Sequence, residues 1–368
     1  MNSTKKQNEI NKILEAFLNY SKKSQKENIY IIESYGKKLG EGSGGVIYEV
    51  KCKKSHLIFA GKLILNKTEK DEERLGLMKE LRGYNIIRIV DLITKKVENQ
   101  KYTMILMERT KLKDLGVFTK NYWNNYLLKL INYSFDEYVG DNLLRFYTKQ
   151  IVDSLEILHR NNLIHFDLKP ENLLLTSNLT IKLSDFSLLT KVPEKKKFLI
   201  PGGTPGYVTR EFYDKALMSK EDLEKQDYFS LGSTLFYLKY GRFLLDYENY
   251  NDSTITQDRI TEILHKGIEY IQSRPVNDFE FKKFLLGLIQ YNANERLNFK
   301  QIYRNKWLNR NLDFIKSIMI KNDNDDEKLL MELQKSDFLY MKEIEKKEKI
   351  LTHKKYVFKI RKRHLIKI

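Results

Sequence analysis

Four side chains in the middle of the chain have the types and spacing of a reaction centre. Residues 165–172 read HFDLKPEN, which sets a carboxylate (Asp167), a cation (Lys169) and an amide oxygen (Asn172) in one short loop after an apolar run. Downstream, Asp185 and Phe186 close a second apolar run. Transfer of a phosphoryl group needs a carboxylate beside the attacking hydroxyl, a cation near the migrating phosphate and side-chain oxygens for a divalent metal. These residues supply that set. Polar residues after a strand also close ordinary turns, but a continuous eight-residue string with a partner site downstream speaks against so bland a reading.

A second motif lies near the N-terminus. LGEGSGGVIYEV (39–50) places Gly40, Gly42 and Gly45 in the pattern G-x-G-x-x-G, and the missing Cβ atoms let backbone amides bend toward phosphates. A dinucleotide-binding fold would need a helix straight after the third glycine. Here VIYEVKCK continues as a strand.

Together these motifs resemble the eukaryotic-type protein kinase family, over roughly residues 35–310. The resemblance implies an α+β bilobal fold, with a small five-stranded antiparallel N-lobe carrying one main helix and a larger, mostly helical C-lobe. It also implies ATP and Mg2+ as cofactors and protein substrates. Asp167 is then expected to accept or orient the hydroxyl proton, Lys169 to neutralise the transferring group, and Asn172 and Asp185 to bind metal. Lys62, in FAGKL, takes the place of the lysine that contacts the α- and β-phosphates. The nucleotide site is expected from Gly40, Glu41, Gly42, Ser43, Gly44, Gly45, Ile47, Ala60, Lys62, Met107, Glu108, Thr110 and Leu174, with Met107 as gatekeeper and Glu108 to Thr110 as hinge. The Lys within DLKPEN resembles the serine/threonine-specific branch. His165 is expected to pack rather than act as a base.

Further matches are Thr204 in GGTPGYVTRE, expected near Asp167 and Lys169, and Glu211 with Arg296 as an ion pair. Asp227 is expected to anchor the catalytic loop from a buried helix. There are also departures. The family pairs its lysine with a glutamate on the following helix, but counting back from YNIIRIV puts Arg74 there, beside Glu72 and Glu73. A one-residue shift makes Glu73 the partner of Lys62, because a lysine facing an arginine would be repelled. The metal motif reads DFS, so Ser187 restricts a position that glycine leaves free. Phe166 replaces the arginine that grips an activation-loop phosphate in regulated relatives. Basal activity without loop phosphorylation is therefore expected, with Lys195 to Lys197 as an alternative grip. A pseudokinase scaffold that binds nucleotide or partners without turnover, and a small-molecule kinase of related fold, are the competing readings.

The elements that must position these residues follow the same order. Ile10, Ile13, Leu14, Phe17 and Leu18 lie at helical spacing in a polar N-terminal stretch, 1–29, and that face suits packing on its own domain. Strand-like runs (IYIIESYGKKLG, VIYEVKCK, HLIFAGKLIL, IIRIVDLIT, YTMILME) and a helix at about 69–82 make the N-lobe, 30–108. A C-lobe over 109–310 opens its main helix at 141–160, with Asp141 as cap, and carries a buried helix, 231–241, that ends at Gly241. Residues 311–368 are charged and helix-prone.

Composition limits the rest. A single cysteine, Cys52, allows no intrachain disulfide and suits an intracellular, cytoplasmic or nuclear setting. No apolar run reaches membrane-span length. The net charge of +17 comes without aromatic–basic or zinc-ligand signatures, so no dedicated nucleic-acid binding is expected. Substrate identity and oligomeric state leave no mark in the sequence.

Overall fold

A computed structural model of the protein describes residues 3–18, 31–42, 44–53, 56–66, 68–110, 114–117, 138–176, 180–245, 257–273 and 279–309. The C-terminal stretch expected over 311–368 lies outside the described residues.

The first lobe is built on strands β1 (Ile32–Gly42), β2 (Gly45–Cys52), β3 (Ile58–Asn66), β4 (Ile89–Val97) and β5 (Gln100–Met107), in the spatial order β1-β2-β3-β5-β4 and antiparallel throughout. Side chains alternate between the faces of a strand, so cross-strand partners share a face. Lys62 pairs in register with Ile47 and Ile105, and Ala60 with Met107, which collects Ile47, Ala60, Lys62 and Met107 on one face. The opposite face carries Val46, Tyr48, Val50, Phe59, Leu63, Met104 and Leu106, all buried. Helix α1 (Ser3–Phe17) covers that face with Ile13, Leu14 and Phe17. The expected N-terminal amphipathic helix thus packs on its own sheet.

Helix α2 (Glu69–Glu80) begins at a capping box, in which Thr68 accepts from Asp71 N and Asp71 accepts from Thr68 N. Its first turn is acidic, which suits the helix dipole. Only Leu75 and Met78 are buried in it, so it rests lightly on its surroundings.

The second lobe is mainly helical: α3 (Tyr138–Arg160), α4 (Arg210–Tyr213), α5 (Lys220–Tyr240), α6 (Gln257–Ser273), α7 (Phe279–Leu288) and α8 (Phe299–Tyr303). Helix α3 starts ahead of Asp141, which therefore lies inside the helix rather than at its cap. Helix α5 starts eleven positions before the apolar run that marked it, at the Ser219 cap, and ends as expected at Gly241 (φ 68°). Between α3 and α4 run short strands β6 (Leu163–Ile164), β7 (Leu173–Leu175), β8 (Ile181–Leu183) and β9 (Thr190–Lys191), pairing β6 with β9 and β7 with β8. The segments joining these strands carry Asp167, Lys169, Asn172 and Asp185.

Candidate active site

The loop after β6 is fixed from below by Asp227, a fully buried carboxylate on α5. It accepts from His165 N (3.0 Å), Phe166 N (2.9 Å) and His159 Nε2 (2.9 Å). Phe166 has a left-handed backbone (φ 64°), a strain on the order of 1–2 kcal/mol for a residue with a Cβ. Those bonds and complete burial hold it there. His165 is buried, accepts from Asp167 N (3.2 Å), bonds to Ser184 O (3.1 Å) and sits edge-on to Phe186, a packing role as expected.

Both oxygens of Asp167 are engaged. Oδ1 accepts from Thr204 Oγ1 (2.5 Å); Oδ2 accepts from Asn172 Nδ2 (3.0 Å) and lies 3.0 Å from Lys169 Nζ. Lys169 also donates to Thr204 Oγ1 (2.6 Å), which closes a ring of three side chains. Asn172 spends its Nδ2 on Asp167, on Oδ2 and the backbone carbonyl, and its Oδ1 takes no hydrogen bond among the described residues. That free oxygen is what a hard cation requires of an amide.

Asp185 is the second left-handed residue of the site (φ 56°). Its Oδ1 accepts from Lys62 Nζ (2.6 Å) and from Ser187 N (3.3 Å). Burial works against its charged form, but the Lys62 charge and these hydrogen bonds prevail and hold the carboxyl below its ordinary value. Oδ2 takes no hydrogen bond among the described residues, so Asp185 and Asn172 each present one oxygen that fits magnesium. Ser187 lies in a 3-10 turn, Phe186–Leu188, without a positive φ, so the serine of DFS costs no backbone strain here.

The expected partner of Lys62 is corrected by the structure. Glu73 is exposed and makes no pair with Lys62, whose partner is Asp185. Glu72 is directed to Lys101 instead. The side chain that α2 turns toward the site is Arg74, donating from Nε to Leu189 O (3.3 Å) and from Nη1 to Asp71 Oδ1 (3.1 Å). Successive helix residues point about 100° apart, so one of three adjacent charges faces inward, and here it is the arginine.

Of the glycine-loop residues, Ser43 lies outside the described residues. A Cβ on Gly45 (φ 123°) would stand 2.2 Å from Leu63 O, a fixed backbone atom, so the loop can come down on β3 there only with glycine; a Cβ on Gly44 would stand 2.8 Å from Lys62 Nζ, which the lysine could relieve by moving its tip. Gly40 and Gly42 face open space. The side chain of Glu41 is drawn to Lys38 and Lys6, which pull its carboxyl to about 2, and its backbone pairs with Val46 in the β1–β2 hairpin. Met107 and Ala60 are buried and adjacent, and Leu174 is half-buried on β7. Glu108 N donates to Arg88 O (3.0 Å) and its carboxylate meets Lys182 (3.1 Å), while Thr110 is half-buried beyond it.

Sequence reasoning missed an apolar cluster in the activation segment. Phe166 packs with Ile164, Val192, Ile200, Met218 and Leu223. Phe198 and Met218 exchange backbone hydrogen bonds (2.9 and 3.0 Å), so the segment is tied down on both sides of Ile200. Lys195, Lys196 and Lys197 are exposed. The signal was present in the substitution itself: an apolar residue where an arginine is usual needs apolar neighbours, and Val192 and Ile200 were there to supply them. Further along, Glu211 and Arg296 form the expected buried pair, with one guanidinium nitrogen donating to both carboxylate oxygens (3.0 and 2.8 Å).

This geometry is that of a phosphoryl-transfer centre lying between two lobes. A profile of the protein kinase domain matches residues 34–308. The chain belongs to the protein kinase domain family and carries the catalytic loop of its eukaryotic serine/threonine type. Among similar proteins is an Aurora kinase of Schizosaccharomyces pombe, 27% identical over 280 residues, covering 74% of this chain and 70% of that one. A calcium-dependent protein kinase 5 of Plasmodium falciparum is 28% identical over 294 residues, 77% of this chain and 46% of its own length. CBL-interacting protein kinase 28 of Oryza sativa is 27% identical over 292 residues, 76% and 60% of the two chains.

Proposed function

We propose that the protein is an ATP- and magnesium-dependent kinase that phosphorylates serine and threonine hydroxyls of proteins, without needing a phosphate on its activation loop. The observation that carries the reading is the ring around Asp167. Thr204, Asn172 and Lys169 fix both its oxygens, which orients a carboxylate toward a substrate hydroxyl while Lys169 stands by to offset charge on the migrating group. Magnesium, when bound, neutralises and aligns the phosphate oxygens. Asn172 and Asp185 would hold it through their free oxygens, and Lys62 would offer its ammonium to the α- and β-phosphates. Gly40 to Gly45 would lend backbone amides, Ile47, Ala60, Met107 and Leu174 an apolar slot for the base, and Glu108 and Thr110 backbone groups at its edge.

What supports independence from loop phosphorylation is the cluster around Phe166. In a phosphate-clamped loop a guanidinium and a phosphate meet through charge-assisted hydrogen bonds. Here the same loop is joined to the activation segment by buried hydrocarbon, which needs no modification to form. Thr190 donates its hydroxyl to Leu188 O, a local bond of the turn.

The test is transfer of label from γ-labelled ATP to acidic and basic protein substrates, before and after phosphatase treatment and in Thr190→Ala. Label on serine and threonine in all samples is expected. Loss of about tenfold or more after phosphatase, the scale of lost charged hydrogen bonds, would remove the independence claim. Binding of MgATP with no transfer would make the protein a scaffold. Phe166→Arg adds a structural check: a guanidinium buried among aliphatic groups is expected to cost about 3 kcal/mol or more, seen as a lower Tm.

A further inference from the structure

A chain of hydrogen bonds runs from the first turn of α2 to the carboxylate of the metal motif. Asp71 Oδ2 accepts from Thr68 N and Oγ1 (3.0 Å each), which anchors it to the helix cap. Its Oδ1 accepts from Arg74 Nη1 (3.1 Å), which aims the guanidinium off the helix. Arg74 Nε donates to Leu189 O (3.3 Å), across to the other lobe's segment. Leu189 N donates to Phe186 O (3.1 Å) and closes the turn, and Ser187 N in that turn donates to Asp185 Oδ1 (3.3 Å). The same oxygen holds Lys62 (2.6 Å).

Two ways of wiring a helix to this site exclude each other. A glutamate facing inward could pair with Lys62 but would set its oxygens against the Leu189 carbonyl. An arginine cannot pair with Lys62, yet its guanidinium carries five donors and no acceptor, and so suits a carbonyl. This chain has the arginine inward, the neighbouring Glu73 exposed, and Lys62 already satisfied by Asp185.

We propose that Arg74 is a positioning residue for phosphoryl transfer: by holding the Leu189 carbonyl it fixes the turn that carries Asp185, and so couples α2 to the metal site through the backbone instead of through a Lys–Glu pair. This rests on the kinase reading above. Asp71 acts one step further back by orienting Arg74. The bare alternative is that Arg74 is a surface arginine with an incidental contact, in which case the turn would not notice its loss.

The experiment is amide hydrogen exchange of the full chain without nucleotide, with kcat and KM for MgATP measured alongside, for wild type, Arg74→Ala, Arg74→Lys, Arg74→Glu and Asp71→Asn. In Arg74→Ala the amides of Ser187 to Leu189 are expected to exchange about tenfold faster, the scale of one lost charged hydrogen bond, with β2 and β3 unchanged. The kcat is expected to fall by a similar factor while KM for MgATP moves by less than about twofold, as for a group that places the metal ligand without touching nucleotide. Lysine at 74 keeps a donor and restores part of the protection; glutamate restores none. Asp71→Asn retains an oxygen for the Thr68 cap but turns an amide toward Arg74, so it shifts exchange in the same direction, and it decides the matter if Arg74→Ala does not fold. Unchanged exchange at 187–189 in whichever of these two variants folds would overturn the proposal, as would turnover in Arg74→Glu equal to or above wild type. Absence of transfer by the wild-type protein would defeat the kinase reading alone, since exchange reads the coupling without ATP.

Discussion

Around Asp167 the side chains brace one another: Thr204 holds Asp167 and is held by Lys169, Asn172 spans the loop, and Asp227 carries two backbone amides from beneath. Helix α2, on the other side of the site, reaches the segment after the metal motif with the Arg74 guanidinium, at Leu189 O, and buries only two side chains. The first region keeps the polar contacts expected around Asp167, with Phe166 packing in an apolar cluster beside them; the second has been rewired. The difference separates what the reaction demands from what it tolerates. A carboxylate must stand at a defined place and orientation beside the hydroxyl, because transition-state charge is stabilised by groups already in position. How the small lobe steadies the metal ligand is open to more than one solution.

The sharpest way to break this contrast is at its rigid end. Asp167→Asn is expected to lower kcat by at least about 10²-fold, the scale of a lost acid–base or orienting group, with MgATP affinity nearly unchanged. Near wild-type turnover in that variant would mean that the braced loop is scaffolding and not a reaction centre. Asp185→Ala tests the junction between the regions. It takes away a metal oxygen and the partner of Lys62 together, so calorimetry with MgATP should read a loss of about tenfold or more, the scale of a lost charged contact, while binding without magnesium changes less. Equal affinities would remove Asp185 from the metal site. The smallest effect belongs to the exposed side of α2. Glu73→Gln is expected to stay within about twofold of wild-type turnover, as surface substitutions do. A large loss there would restore Glu73 as the partner of Lys62 and erase the contrast.

Much of this was legible in the chain. The five strands could be read from β-branched and aromatic runs separated by glycine or charge, and the catalytic loop from a string whose members sit close together in sequence. Neighbours in sequence keep their geometry whatever the rest of the chain does. The partner of Lys62 was not legible for the opposite reason. Glu72, Glu73 and Arg74 are consecutive, and only the rotation of α2 about its axis decides which one faces the site. That rotation is set by Leu75 and Met78 and by the Thr68 cap, a weak apolar pattern from which to fix a register. Helix α5 was seen late because its first turns bury polar groups: Gln226, Asp227 and Ser230 bond to the loops above, which breaks the apolar period. The cluster joining Phe166 to Ile200 depends on the whole activation segment folding back, and the separation in sequence hides it.

Helix α1 bears on how the protein can be handled. The kinase profile begins at residue 34, after α1 has ended, so a chain trimmed to residues 34–308 would lack Ile13, Leu14 and Phe17. It would then show water the outer face of its own sheet, with Val46, Tyr48, Val50, Phe59 and Met104 in one patch. Exposed apolar sheet surface of that kind drives association between copies. The smallest well-behaved catalytic fragment of this protein therefore starts before the kinase domain does.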